Sequence, residues 1–379
     1  MAACLALSWW LLGMVVHWGS ALIALRDRAQ RPPRHQAADF SIVAPLAGSD
    51  DASADYVDAL AALSRAGAEV LVCVATPDDG AIAPLKARWP EAPLLVGSSD
   101  TFNPKMNNVR KGLEAAKREV VVLCDAGIAL GLEDLRIAAA ALSDEVGLVL
   151  ALKAATDPAN FAAEMERAYL NGHQARFLLL ADRIGMAVAS GGVTLLTNKT
   201  LQRIGNWQGF NRWIADDYSV VRSVRELGMA TTLGNRLLKL PLGRRDWSMV
   251  WRRQVRWART RLRLPVWPVV ALEPLIGAAV TGLAGALGLA ALGVGTGMIC
   301  LFVGVHLLAW MLAEKVFVEG RGLEFVGRAI VATLVREALA PVLMVQALAG
   351  RTIDWRGADL GGRWRDTGAD AARRLGNGG

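Results

Sequence analysis

Four short patches hold the residues best suited to chemistry in this 379-residue chain. Asp78-Asp79-Gly80 and Asp125-Ala126-Gly127 each follow an apolar run rich in β-branched residues. Open α/β sheets bind ligands beyond the carboxyl ends of their strands. A carboxylate in such a cleft needs a counter-charge, and a divalent ion bridging a diphosphate provides one. Asp-Gly is also a common turn pair, which leaves Asp78 and Asp79 open to a plain turn role. Asp125 directly follows Val-Val-Val-Leu-Cys, at a sheet edge with little room for a merely solvated carboxylate. Asp216-Asp217 opens the helical run 219–228, where acids complement the helix dipole and capping alone accounts for them. The fourth patch is Arg253-Gln254-Val255-Arg256-Trp257, within a basic stretch over 244–263 that carries eight Arg together with Trp247, Trp251 and Trp257. Helical spacing puts Arg252, Arg256, Arg259 and Arg263 on one side. Arg and Trp together fit the headgroup layer beside a membrane span. The same guanidinium groups can neutralise a diphosphate leaving group.

The elements that must position these groups alternate. Runs at 41–46, 70–75, 93–97, 120–124 and 146–150 read as strands, with a helical pattern over 53–66. Continuous β-branched runs between helices predict a parallel sheet buried on both faces, in a Rossmann-like α/β layout. No Gly-x-Gly-x-x-Gly follows the first strand and no P-loop occurs, so the usual dinucleotide and P-loop NTPase classes are excluded.

The chain is 53% hydrophobic and 20% charged, with a net charge of +7 and a mean hydropathy of +0.31. This composition excludes disorder, collagen and coiled coil. Only eight of the 42 basic residues are Lys. The apolar excess is concentrated. Residues 3–25 contain no charge and are long enough to cross a bilayer, and Arg26, Arg28, Arg31 and Arg34 follow them. The positive-inside rule then places the next segment in the cytosol, as expected for a retained anchor rather than a cleaved signal. Residues 266–312, with Glu273 as their only charge, supply enough length for two spans around a turn at 293–297. Residues 325–348 are apolar but hold Arg328, Arg336 and Glu337, which predicts a re-entrant or interfacial helix. The expected organisation is an anchor at 1–26, a cytosolic α/β domain at 38–243, an amphipathic interfacial helix at 244–264, transmembrane and re-entrant helices at 265–350, and a tail at 351–379. Basic residues beside membrane segments, and no reader motif, argue for a lipid bilayer and against nucleic acid as the partner. Cys4, Cys73, Cys124 and Cys300 show no Cys-x-x-Cys spacing, so neither a disulfide framework nor a zinc site is expected.

Taken in order, these patches resemble the ceramide glucosyltransferase family of membrane glycosyltransferases with a GT-A fold. The resemblance runs over about 40–357. It is carried by Asn103-Pro104-Lys105-Met106-Asn107-Asn108, Cys124-Asp125-Ala126-Gly127-Ile128, Ile214-Ala215-Asp216-Asp217-Tyr218, and Pro241-Leu242-Gly243-Arg244-Arg245 leading to Val255-Arg256-Trp257-Ala258-Arg259. Glu273-Pro274, Val335-Arg336-Glu337 and Thr352-Ile353-Asp354-Trp355-Arg356 follow in the expected order. The chain departs from the family where Ala44-Pro45-Leu46-Ala47-Gly48 replaces a KPLKG-like strand end, so both lysines are absent. Asp216 stands where Glu is common, keeping the charge with a shorter reach.

The resemblance implies an inverting transfer of glucose or a related hexose from a UDP-sugar to the hydroxyl of ceramide, on a multi-pass protein of a bacterial inner membrane. It implies Asp217 as the base, with Asp216 beside it, and Asp125 as the ligand of Mg2+ or Mn2+. Asp78 and Asp79 fall at the nucleotide end, and Lys105, Asn107 and Asn108 at the sugar pocket. Arg253, Arg256 and Trp257 close over the diphosphate and the acceptor mouth, with His173 on the acceptor side. Against His173 stands an ordinary helix-surface role. The competing readings are a hopanoid or diacylglycerol acceptor, UDP-N-acetylglucosamine as donor, a polysaccharide synthase, and a non-catalytic membrane scaffold.

Overall fold

The computed structural model describes residues 1–355 and 358–359, apart from Phe102 and Ala187. The tail beyond 359, with its four Arg, lies outside the described residues. The chain divides into two compact units. One comprises Asp27–Thr156 and Ile184–Pro241, with Trp355 onward; the other comprises Met1–Arg26, Asp157–Arg183 and Leu242–Asp354.

The first unit is built on a seven-stranded sheet. Its strands are β1 (Phe40–Pro45), β2 (Glu69–Val74), β3 (Leu94–Val96), β4 (Val120–Cys124) and β5 (Val146–Ala151). After β6 (Lys153–Pro158) come β7 (Val193–Thr197) and β8 (Ala230–Leu233), while β9 (Leu238–Gly243) pairs with β6 in a separate ribbon. The sheet order is β3-β2-β1-β4-β7-β5-β8. The five expected strands are present within a residue or two, and β1 pairs in parallel with both β2 and β4. The expectation of an all-parallel sheet fails at β7, which runs antiparallel to both β4 and β5. Its run Val-Thr-Leu-Leu-Thr is no less β-prone than the others, and its direction is set by pairing partners far along the chain. Ile42, Val72, Val122 and Leu195 are almost wholly buried in the core, as sheets covered on both faces require.

Buried Cys73 and Cys124 sit at the ends of β2 and β4. Burial pushes their thiols up, to about 11 and about 12, so both stay neutral and unreactive.

The second unit is helical and apolar. Ala2–Ala24, Thr296–Gly320 and Arg328–Ala349 are each long and apolar enough to cross a membrane. Trp267–Ile276 and Ala278–Ala291 form a further pair bent by 53°. The expected turn near 293–297 is there, between Ala278–Ala291 and Thr296–Gly320. Glycine lets these helices approach closely, as small residues do where lipid offers no hydrophobic drive. A Cβ at Gly285 would lie 2.4 Å from the Phe302 ring, and one at Gly13 would lie 2.3 Å from Thr281. His17 is buried, stacked at 3.6 Å on Trp310.

Two features bear on the expected organisation. Asp157–Arg183, read as part of the domain at 38–243, belongs with the apolar helices. The charges at Arg336 and Glu337 do not interrupt the last helix, which runs unbroken over Arg328–Ala349 through Pro341. Arg336 donates to Glu314 at 2.9 Å, to Glu337 at 2.6 Å and to the Ala168 carbonyl at 2.6 Å. Glu337 in turn accepts from the Ala278 N–H at 2.8 Å. Paired in this way, the charges are matched within the protein.

Candidate active site

In the sheet unit, the carboxyl end of β4 delivers Asp125, and its N–H donates to the Gly192 carbonyl at 2.8 Å. Tyr56 braces the same strand end by donating to the Cys124 carbonyl at 3.3 Å. The helix Pro104–Ala115 begins with the side chain of Asn103 capping the Lys105 N–H at 3.0 Å, and with Pro at its first position. Asn103 also donates through its amide to the Ile214 carbonyl at 3.2 Å, and through its backbone N–H to Asn211 at 2.9 Å. These two bonds hold the start of that helix beside the start of Asp216–Glu226. The consequence is a single bridge: Lys105 Nζ reaches Asp125 Oδ1 at 2.7 Å and Asp216 Oδ2 at 2.6 Å.

Asp217 completes the cluster. Its Oδ1 accepts from the Tyr218 N–H at 2.8 Å. A Cβ placed on Gly191 would lie 3.5 Å from Asp125 Oδ2 and 4.0 Å from Asp217 Oδ2, so both carboxylates face one backbone position. Gly192 beside it has φ +149°, and a Cβ there would lie 3.0 Å from the Ala151 carbonyl, which reserves the position for glycine.

The electrostatics of Asp217 and Asp125 differ. Burial and then the neighbouring Asp216 charge push the Asp217 carboxyl up to about 6. Burial also raises Asp125, but the Lys105 charge, with help from Lys153, outweighs it and holds that carboxyl below its ordinary value. Lys105 is stabilised as a cation, because Asp125 and Asp216 outweigh the burial that opposes its charge. The arrangement pairs an ionised carboxylate with one poised near neutrality, as proton-transfer sites require. Capping alone does not account for Asp216, whose carboxylate is spent on Lys105.

The remaining predicted residues of this unit are braces or rim. Asp79 accepts from the N–H groups of Gly48 at 2.8 Å and Ala81 at 2.9 Å, which ties the loop after β1 to the turn after β2. Asp78 is exposed on that turn. Asn107 accepts from the Thr101 N–H at 2.6 Å. Asn108 is buried, and its amide donates to the Leu46 and Cys73 carbonyls while its oxygen takes Lys111. Its polar atoms lock the ends of β1 and β2 and are not presented to a sugar.

No group of three or more His, Cys, Asp or Glu among the described residues is arranged to hold a metal by itself. Mg2+ and Mn2+ sites on nucleotide substrates need less, since one or two carboxylates suffice when phosphate oxygens supply the rest. Asp125 offers hard oxygen donors in a place where carboxylates already hold the Lys105 cation, and so it fits such an ion.

In the helical unit, the basic stretch forms the helix Trp247–Arg261, capped by Asp246. Arg253 ion-pairs with Glu166, a fully buried carboxylate that Arg245 also approaches at 3.4 Å. Arg256 and Trp257 are half-buried on the same helix, and the Trp257 ring lies 6.3 Å from Tyr169. His173 and Tyr169 lie on a π-helical stretch, Ala168–Gln174, whose widened turns often accompany function. His173 Nε2 lies 3.6 Å from Glu273, and Glu273 accepts from Arg261 at 2.6 Å. His173 is therefore no free surface histidine. Glu166, Tyr56, Asn103 and Asn211 were not foreseen. Each acts through a partner distant in sequence, and only the Asn-Pro pair, a helix-start signal, marked one of them.

An acid cluster at the strand ends of a mixed α/β sheet thus occurs in one chain with apolar helices long enough to cross a membrane. The profile of glycosyl transferase family 21 matches residues 3–367, and the chain belongs to that family. It is 24% identical over 329 residues to ceramide glucosyltransferase 1 of Caenorhabditis elegans, covering 83% of this chain and 70% of the relative. It is likewise 24% identical to ceramide glucosyltransferase 3 of the same organism, over 83% of this chain and 71% of that one. Among solved structures it is similar to the mannosyltransferase PcManGT from Pyrobaculum calidifontis, in complex with GDP-Man and Mn2+. The TM-score is 0.53 at 16% identity, over 90% of this chain and 99% of that one. The likeness supports a shared GT-A fold.

Proposed function

We propose that this glycosyltransferase moves glucose, or a related hexose, from a UDP-sugar to the primary hydroxyl of ceramide with inversion at the sugar carbon. The observation that carries the reading is the Asp125–Lys105–Asp216 bridge with Asp217, raised to about 6, beside it. A lipid hydroxyl is a poor nucleophile and must lose its proton as it attacks. Asp217 is the base: it is ionised at neutral pH, yet basic enough to accept that proton. Asp125 would hold Mg2+ or Mn2+ against the diphosphate, and the ion would supply charge stabilisation to the departing UDP. Lys105 keeps Asp125 ionised and holds both Asp125 and Asp216 in place. Asp79 shapes the loop at the nucleotide end, with Asp78 exposed on its rim. Arg256 and Trp257 contribute on the acceptor side, together with His173.

The Caenorhabditis relatives, by name, act on ceramide, and the Pyrobaculum enzyme binds a nucleotide sugar with Mn2+. Both support this choice of donor class, metal and acceptor. The apolar helices are read as spans of a bacterial inner-membrane protein, and Arg26, Arg28, Arg31 and Arg34 support a cytosolic catalytic unit.

The test is transfer by the purified full chain in phospholipid nanodiscs. A panel of UDP-sugars is offered with ceramide, diacylglycerol and a hopanoid, and products are identified by mass spectrometry. Hexosylceramide from UDP-glucose with added Mn2+ or Mg2+ is expected. Products on the other lipids, with none on ceramide, would refute the reading.

A further inference from the structure

The Lys105 ammonium holds two of the three acids clustered in the sheet unit. Its Nζ donates to Asp125 Oδ1 at 2.7 Å and to Asp216 Oδ2 at 2.6 Å. Hydrogen bonds between charged partners are about twice as strong as neutral ones. The backbone beneath is fixed as well. Asn103 caps the Lys105 N–H, and the same Asn103 is tied to Asn211 and to the Ile214 carbonyl, just ahead of Asp216. The ammonium is built into the acid cluster and is no loose surface lysine.

The second oxygen of Asp125 faces a different neighbour. A Cβ on Gly191 would lie 3.5 Å from Asp125 Oδ2 and 4.0 Å from Asp217 Oδ2. A divalent ion held by Asp125 would therefore share one carboxylate with the ammonium. Two cations on one carboxylate repel, and more strongly in a half-closed site than in water.

Lys153 also acts on Asp125, but less strongly and without a hydrogen bond to it. Lys105 is therefore the main charge that opposes a free divalent ion at this carboxylate. A diphosphate reverses the sign of that contribution, because its oxygens attract the ammonium and the metal alike.

We propose that Lys105 makes metal binding depend on the nucleotide: its ammonium disfavours free Mg2+ or Mn2+ at Asp125 and favours the same ion once a diphosphate accompanies it. The inference rests on the metal reading of Asp125 above, but the measurement needs no sugar transfer. The full chain in phosphatidylcholine nanodiscs, whose headgroups carry no net charge, is titrated at pH 7.5 with Mn2+ alone, and the free ion is read from its electron paramagnetic resonance signal. UDP is then titrated by calorimetry at saturating Mn2+.

Lys105→Met should bind Mn2+ alone at least about tenfold tighter than the unaltered protein, the low end of what one neighbouring charge does to a carboxylate's affinity for a proton. Lys105→Arg, which keeps the charge, should bind Mn2+ as weakly as the unaltered protein, and adding Asp125→Asn to Lys105→Met should abolish the gain. The UDP titration should move the other way, with Lys105→Met at least about tenfold weaker for want of one charged hydrogen bond. A lysine that merely braced the site would weaken both titrations when removed. No gain in Lys105→Met, an equal gain in Lys105→Arg, a gain that survives Asp125→Asn, or unchanged UDP affinity would each overturn the proposal. Mn2+ binding to the unaltered protein as tightly without UDP as with it would do so even where a variant fails to fold, since coupling between two ligands is reciprocal. Metal-dependent UDP binding with no gain in Lys105→Met would remove this inference alone. UDP binding indifferent to Mn2+ would remove the metal reading of Asp125 together with it.

Discussion

Two charge clusters, one in each unit, use similar side chains to opposite ends. In the helical unit, Arg176 and Arg336 face Glu314 and Glu337, with Arg176 donating to Glu314 at 2.7 Å. All four are buried and the charges cancel. In the sheet unit, Lys105 bonds two of three clustered carboxylates, Asp125 and Asp216, and its side chain is still 18% exposed. Lys153 adds a longer-range charge to Asp125, but one carboxylate remains in excess, and the imbalance is felt at Asp217. A balanced, closed cluster serves packing. An unbalanced one that solvent can enter stores a proton affinity near neutrality and leaves room for a further cation. The difference in charge count, rather than in residue type, separates structure from chemistry here.

The comparison can be tested from its strongest contrast downward. Asp217→Asn should lower transfer by about 10²–10⁴-fold, the range for loss of a general base, measured as hexosyl-lipid formed at saturating donor. The same substitution should raise thermal stability at neutral pH. The folded chain holds the Asp217 proton more tightly than the unfolded chain does, so its contribution to stability falls as pH rises from about 4 to about 6, and its cost is fully present above that. An inactive variant with a lower Tm at pH 7.5 would contradict the assignment of strain to this carboxylate.

Glu314→Ala should do the converse. It leaves Arg176 and Arg336 short of a buried partner and should cost about 3–5 kcal/mol, read as a large drop in Tm in detergent. An unchanged Tm would show that the balance is not structural. Lys105→Ala removes the bridge from a partly exposed cluster, so its loss should fall at or below the low end of that range. Its larger effect should be on donor affinity, measured by titration calorimetry with the nucleotide sugar and Mn2+. The smallest effect is in the pH profile of the unaltered protein. Activity should decline as pH falls through about 6, where Asp217 takes up its proton. A flat profile down to pH 5 would remove Asp217 from the role of base.

The candidate site was legible to different depths. Asp125 could be read because a carboxylate after Val-Val-Val-Leu-Cys has one place to go in a covered sheet. Asp216 and Asp217 were legible as a helix start, while their distinct roles were not. Asp216 meets Lys105 111 residues away, and that contact makes the pair unequal. Asn108 misled for the same reason. Its position beside Lys105 places it near the site, but the helix turns its amide inward onto the Leu46 and Cys73 carbonyls. Arg253, expected at the diphosphate, meets buried Glu166, a partner 87 residues away that no local pattern announces.

The sequence by itself determined the local elements and their order. Runs of Val, Leu and Ile set the strands, charge-free lengths set the apolar helices, and Asn-Pro set the start of the helix that carries Lys105. These follow from periodicity, propensity and hydropathy, which act over a few turns of chain. Tertiary structure alone decided the direction of β7, the burial of Arg336 within a helix long enough to cross a membrane and the sharing of Lys105 between two acids. Each depends on which distant groups meet in a space that solvent hardly reaches. There a missing partner costs kilocalories, and no local pattern records it.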